Sequence, residues 1–201
     1  IIAMALACNA EILIADEPTT ALDVTIQAQI MDILEKIKQE RQTAILLITH
    51  DLAVVKEHAD RVAVMYSGRI VETAPANEFF ANPKHPYSLA LLNSLPSNRG
   101  KVLETIQGQP PSIQQKIDGC KFHPRCKFCM EICKKVAPTS QKIGENHFVA
   151  CHLVNKNPPE ISRIFDGNFL KKLPNQNPQS DITNDAMPMK IEGTRKCVPL
   201  K

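Results

Sequence analysis

A chain of 201 residues with 43% hydrophobic content holds one ordinary domain or two small ones with a core, which excludes a broadly disordered polypeptide. A formal net charge of +3 and only 4% aromatic residues supply neither the basic field nor the stacking platform of a nucleic-acid binder, so no nucleic acid is expected as a partner. No apolar run approaches the roughly 20 residues of a membrane-spanning helix, and membrane association is expected only through partner proteins.

The predicted elements begin with an Ala-rich apolar stretch over residues 1–9, which reads as the end of a helix. It lacks the basic flank of a secretory signal, so a cytosolic chain is expected. Ile12-Leu13-Ile14-Ala15 is an unbroken apolar run of the kind expected for a strand buried on both faces, and Asp16-Glu17-Pro18 stops it. Over residues 25–39 the apolar positions Ile26, Ile30, Ile33, Leu34 and Ile37 follow helical spacing. A second buried strand, residues 44–49, ends at His50, and the strand, helix, strand succession predicts a parallel sheet of α/β type.

Residues 52–58 read as a further helix and residues 61–66 as a strand, which Ser67-Gly68 turns back into the hairpin partner 69–73. Pro75 closes this block. Two short helices, 77–81 and the Pro-flanked 86–95, then lead into a turn-rich cysteine segment. Beyond Pro158 the chain is rich in Asn, Pro, Lys and Ser and reads as a mostly disordered tail. The expected organisation is therefore 1–75, 76–157 and 158–201.

A carboxylate pair at the carboxyl end of a buried parallel strand stands where α/β sheets place their ligands. Asp16 and Glu17 occupy that position, and neighbouring side chains of an extended segment point in different directions, one toward a metal and the other toward a water. The run Asp16-Glu17-Pro18-Thr19-Thr20-Ala21-Leu22-Asp23 resembles the Walker B motif and D-loop of an ABC ATPase, and Thr49-His50-Asp51 resembles its H-loop. The resemblance implies that Asp16 holds Mg²⁺ through water, Glu17 polarises the water that attacks ATP, His50 contacts the γ-phosphate, and Asp23 communicates across a nucleotide-sandwich dimer. Phosphoryl transfer depends on positioning and charge stabilisation, to which these groups are suited.

Neither a G-x-x-x-x-G-K-[ST] phosphate loop nor an L-S-G-G signature occurs in the 201 residues. In the family the phosphate-loop strand runs beside the strand that ends in the H-loop histidine. The expected fold is thus α/β, a partial ABC-type (RecA-like) P-loop NTPase sheet without that strand, followed by a small cysteine-rich metal-binding module. An unpaired edge of this kind is expected to make the fragment unstable, and without the phosphate loop no ATP hydrolysis is expected from it.

His85-Pro86-Tyr87 is a good helix entry, with proline at the first turn. In its place after the hairpin it also resembles the HPY segment that opens the C-terminal extension of oligopeptide, dipeptide and nickel importer ATPases. Seven cysteines follow no secretory pattern, and four crowd between Cys120 and Cys133, which in a reducing compartment favours metal over disulfide. Cys120-x5-Cys126-x6-Cys133 with Cys151 offers four thiolates, which suit either a tetrahedral zinc or a [4Fe–4S] cluster. The resemblance favours the cluster, with Cys120, Cys126, Cys133 and Cys151 as ligands. Cys129 falls outside that spacing and reads as a spare thiol, Cys8 and Cys197 as incidental, and His123, His147 and His152 as surface histidines, with zinc ligation the alternative. Lys121, Arg125, Lys127, Lys134 and Lys135 add positive charge that would favour an anionic cluster.

Taken together, the resemblance implies an ATPase subunit that energises import of peptides or nickel. Its implied partners are a second ATPase subunit, the ABC permease subunits and, indirectly, a periplasmic or extracellular substrate-binding protein. Its implied place is the cytoplasmic face of the bacterial plasma membrane. The missing phosphate loop leaves a non-catalytic metal-binding or interaction remnant as the alternative.

Overall fold

The computed structural model describes residues 10–95, 106–112 and 114–155. The expected helix end at 1–9, Cys8, Cys197 and the polar tail lie outside them.

The first unit is a strand, helix, strand crossover. Strand β1 (Ile12–Asp16) pairs in parallel with β2 (Ala44–Ile48), in a register running from Ile12 opposite Ala44 to Asp16 opposite Ile48. Between them α1 (Val24–Arg41) starts at Asp23, whose carboxylate accepts the Ile26 amide at 2.8 Å, and stops at Gln42 in the left-handed region. An acceptor before the first turn and a left-handed residue after the last satisfy backbone groups that a helix end leaves unpaired. Asp51 caps the next helix, α2 (Leu52–His58), by accepting from the Ala53 and Val54 amides.

Met31 and Leu34 of α1 and Val54 of α2 form a small core against Leu13, Ile45 and Leu47. Only one face of the two-stranded sheet is covered. Ile12 is 64% exposed and Ile14 and Leu46 are each 51% exposed, so the expectation of strands buried on both faces is corrected. The reason is that the described residues supply helices to one side only. The helix face differs as well: α1 buries Met31, Leu34 and Ile37, while Ile26 and Ile33 face solvent.

The second unit is built on a hairpin. Strand β3 (Arg61–Tyr66) turns through Ser67 and Gly68, both at positive φ, into β4 (Arg69–Pro75). Two positive φ values in a two-residue loop match the twist of the flanking strands. The sheet continues through two short strands, β5 (Gln141–Lys142) and β6 (Phe148–Val149), in the order β3-β4-β6-β5, all antiparallel. Alternation puts Val62, Val64 and Tyr66 on the inner face of β3, where they meet Phe79 and Phe80 of α3 (Ala76–Ala81), Leu92 of α4 (Pro86–Asn93), and Phe122. Tyr66 meets Tyr87 and Phe122 edge-on, with ring centroids 4.7 and 5.1 Å apart. The hairpin thus shares its sheet and core with residues beyond 75, across the division expected from the sequence.

Candidate functional site

At the carboxyl end of the β1/β2 pair the chain leaves β1 through Glu17, whose φ of 46° lies in the left-handed region. The segment is therefore a turn at Glu17 and not the extended run expected from the sequence. The Glu17 amide donates to the Ile48 carbonyl at 2.8 Å, one rung beyond the strand, and this brings the side chain beneath the end of β2. There Nδ1 of His50 donates to Glu17 Oε1 at 2.8 Å, and the Thr20 hydroxyl donates to Oε2 at 3.0 Å. The His50 hydrogen bond is the main cause holding the Glu17 pKa below its ordinary value, and Glu17 in turn raises that of His50. The pair therefore favours carboxylate with imidazolium. The His50 side chain is 82% exposed, so its outer edge faces open space.

Asp16 is exposed at the end of β1, one residue before this pair. Asp23 uses its carboxylate locally as the cap of α1. Of the four residues singled out in this half, the structure brings Glu17 and His50 into contact. Thr20 is a third member that its ordinary Thr-Thr context did not distinguish.

In the second unit Cys120, Cys126, Cys133 and Cys151 line one pocket, together with His85, Phe122, Phe128 and Leu153. The sulfurs arrive from four places. Cys120 and Cys133 are joined by a backbone hydrogen bond from the Cys120 amide to the Cys133 carbonyl at 2.8 Å, Cys126 follows a single 3₁₀ turn over His123–Arg125, and Cys151 follows β6. Ala150 donates to the Val71 carbonyl at 2.8 Å and so ties Cys151 to β4. Gly119, at φ +64°, sits where a Cβ would run into the Cys133 carbonyl oxygen, so the close approach of these two segments requires glycine. Cys129 is not among the residues lining the pocket, and its thiol donates to the Met130 carbonyl at 3.6 Å.

Burial pushes the thiol pKa of Cys126 up to about 11 and that of Cys151 up to about 12. Burial thus favours the protonated thiols of Cys126 and Cys151 until something that binds thiolate displaces their protons. As a donor set, four sulfurs around a largely apolar pocket fit a thiolate-held group. Among the described residues, however, no group of three or more His, Cys, Asp or Glu side chains is arranged to hold a metal ion. The expected metal-binding module is therefore not supported as a formed ion site.

The basic residues around the cysteines are largely engaged elsewhere. Arg125 donates to the carbonyls of Ile106, Gln107 and Gly108 and to the Tyr66 hydroxyl, Lys121 to the Ile117 carbonyl, and Lys134 pairs with Glu131 at 2.6 Å. His147, read from sequence as a surface histidine, is 4% exposed, and its Nε2 donates to Glu72 Oε1 at 2.7 Å. Glu72 also accepts the amides of Lys84 and His85 at 2.8 and 2.9 Å. Burial alone would raise the Glu72 pKa, but these hydrogen bonds outweigh it and hold it below its ordinary value. The sequence signal was a lone acid inside the apolar run of β4, a position where a charge is retained only when paired.

The family model for the C-terminal region of oligopeptide/dipeptide transporters matches residues 71–133. A peptide import ATP-binding protein of Brucella ovis is 49% identical over 158 residues, covering 75% of this chain and 47% of that protein. The dipeptide transport ATP-binding protein of Haemophilus influenzae is 51% identical over 153 residues, 75% of this chain and 46% of its own length. The oligopeptide transport ATP-binding protein of Salmonella typhimurium is 52% identical over 152 residues, 75% of this chain and 45% of its own length. The chain thus spans about half the length of these relatives. With its mixed α/β fold, the chain is thus similar over 75% of its length to ATP-binding proteins of peptide transporters, and its residues 71–133 match the C-terminal region of oligopeptide/dipeptide transporters.

Proposed function

We propose that this chain supplies the water-activating half of the ATP site in the subunit that energises a peptide importer. The observation that carries the reading is the 2.8 Å contact between Glu17 and His50 at the carboxyl end of the parallel strand pair. Glu17, held as carboxylate, orients a water by accepting its proton in a hydrogen bond. His50, whose charged form is favoured by Glu17, offers its exposed edge to phosphate oxygens. Asp16, exposed one residue before Glu17, is the residue to hold Mg²⁺ through water, and Asp23 to meet a second ATPase subunit. The metal supplies charge neutralisation on the phosphates. The permease subunits and a substrate-binding protein follow as partners, and the cytoplasmic face of the membrane as location.

The test joins this chain to the N-terminal half of the Salmonella typhimurium relative. The hybrid should hydrolyse ATP, and Glu17→Gln should lower turnover about 100-fold or more while ATP still binds. A hybrid whose turnover is indifferent to Glu17→Gln refutes the assignment. The 201 residues alone should not hydrolyse ATP, since they contain no phosphate-loop sequence. Turnover by them that Glu17→Gln abolishes would overturn that expectation.

We also infer that Cys120, Cys126, Cys133 and Cys151 hold a [4Fe–4S] cluster, a reading supported by their shared pocket and by the motif resemblance. Such a group supplies a one-electron couple and a cross-link among four segments. Anaerobic purification followed by iron, sulfide and zinc analysis separates it from zinc. One equivalent of zinc without iron would sink it.

A further inference from the structure

His85 caps α4: its Nδ1 accepts the Tyr87 amide at 3.0 Å, which leaves the proton of the neutral ring on Nε2. The residue is 1% exposed, and its Nε2, like Ser88 Oγ one turn along α4, is buried with no hydrogen-bond partner among the described residues. Buried donors in folded proteins rarely stay unpaired, and each exception calls for a physical explanation. His85 is one of the residues lining the pocket that holds the four cysteines, and its ring centroid lies 5.9 Å from that of Phe122, another of them. The other lining side chains are apolar or cysteine, apart from the imidazoles of His123 and His152, whose ring nitrogens bond the carbonyls of Cys120 and Val136 at 2.9 Å each. Among the side chains lining that pocket, the acceptors left for such a donor are the cysteine sulfurs.

We propose that the Nε2–H of His85 donates a hydrogen bond to the sulfur shell of the group held by Cys120, Cys126, Cys133 and Cys151, and thereby sets its reduction potential. The inference rests on the cluster reading above. Reduction adds negative charge to the sulfurs, and an N–H···S bond stabilises that charge, so the bond raises the potential. The same residue is tied to the start of α4 through its ring Nδ1 and to Glu72 of β4 through its backbone amide. His85 acts as a positioning residue that reaches the cluster from outside its ligand set.

Two substitutions separate the two edges of the ring. Asn places an acceptor where Nδ1 stands, and is a good helix cap, but offers no donor at the Nε2 position. Gln reaches the Nε2 position with an N–H but loses the cap. The full 201-residue chain is reconstituted anaerobically with iron and sulfide, and iron content, visible absorption and reduction potential are measured for the parent, H85N and H85Q. H85N should keep its iron and lower the potential enough to change the oxidised-to-reduced ratio about tenfold, roughly 59 mV for one electron. H85Q should stay near the parent potential while losing thermal stability. A loaded H85N at the parent potential overturns this inference alone, as does a loaded H85Q that falls in potential as far as H85N. A parent chain that takes up no iron overturns the cluster reading and this inference with it.

Discussion

Replacing Glu72 by Gln should be the most costly single-atom change in the second unit. The Glu72 side chain is fully buried and accepts three hydrogen bonds, at 2.7 Å from His147, 2.8 Å from the Lys84 amide and 2.9 Å from the His85 amide. Oε1 serves two of the donors and Oε2 the third. A glutamine keeps one acceptor oxygen and turns the other into an NH₂, so at least one buried N–H loses its partner and faces another donor. An orphaned buried donor costs about 1–3 kcal/mol. The expected loss is therefore about 1–3 kcal/mol, a drop of roughly 0.5–2 M in urea midpoint for a chain of this size. Urea unfolding of the 201-residue chain at neutral pH, followed by circular dichroism, measures it. A loss below about 1 kcal/mol would refute the claim that this carboxylate ties β4, α4 and β6 together. The pH dependence gives an independent check. The Glu72 pKa is lowered in the folded chain, so its contribution is fully present above the ordinary value of 4.5 and disappears as pH falls through the lower folded value. The difference between the parent chain and Glu72→Gln should shrink in that acidic range and stay constant above it.

Because Glu17 raises the His50 pKa, the His50 imidazole should titrate above 6.5 by NMR and move back toward that value in Glu17→Gln; an unchanged midpoint would contradict the contact. Asp51→Ala removes the acceptor of two α2 amides and should cost about 1 kcal/mol in thermal or urea unfolding, with Asp51→Asn nearly neutral. Gly119→Ala meets backbone at Cys133 and Lys134 while φ is +64°, so it should destabilise by more than about 1 kcal/mol and lower iron uptake; full uptake at parent stability would show that the two segments need not approach so closely. Arg125→Lys cannot reproduce a guanidinium that bonds three successive carbonyls, and faster amide exchange at residues 106–108 should report it.

The parallel crossover, the hairpin and the short helices were legible in the sequence because their signals are local: strand runs, a Ser-Gly turn and the His85-Pro86-Tyr87 helix entry. The burial of those strands was not. Apolar runs such as Ile12-Leu13-Ile14-Ala15 report what a strand could bury, whereas exposure of Ile12 and Ile14 depends on which partners cover the sheet. The rotated face of α1 has the same cause, since two stripes of the helix are apolar and only packing selects Met31 over Ile33. In the candidate site, Glu17 and His50 stood out through motif resemblance, but the pairing of Glu72 with His147 spans 75 residues and left no spacing to read. Arg125 and Lys134 looked like charge aimed at the cysteines, yet backbone carbonyls and a neighbouring glutamate claim them first.

The hydrogen bond from the Glu17 amide to the Ile48 carbonyl makes the strand ladder a ruler for the chemistry at its end. Glu17 and His50 stand at their distance because two backbones are locked rung by rung, and a slip of one residue would displace one partner by about 3.3 Å and reverse its facing. The loops at either end of α1 leave that measure untouched. Insertions there should be tolerated as changes in the path between the strands, while a single residue added within β1 or β2 should separate carboxylate from imidazole even in a chain that still folds.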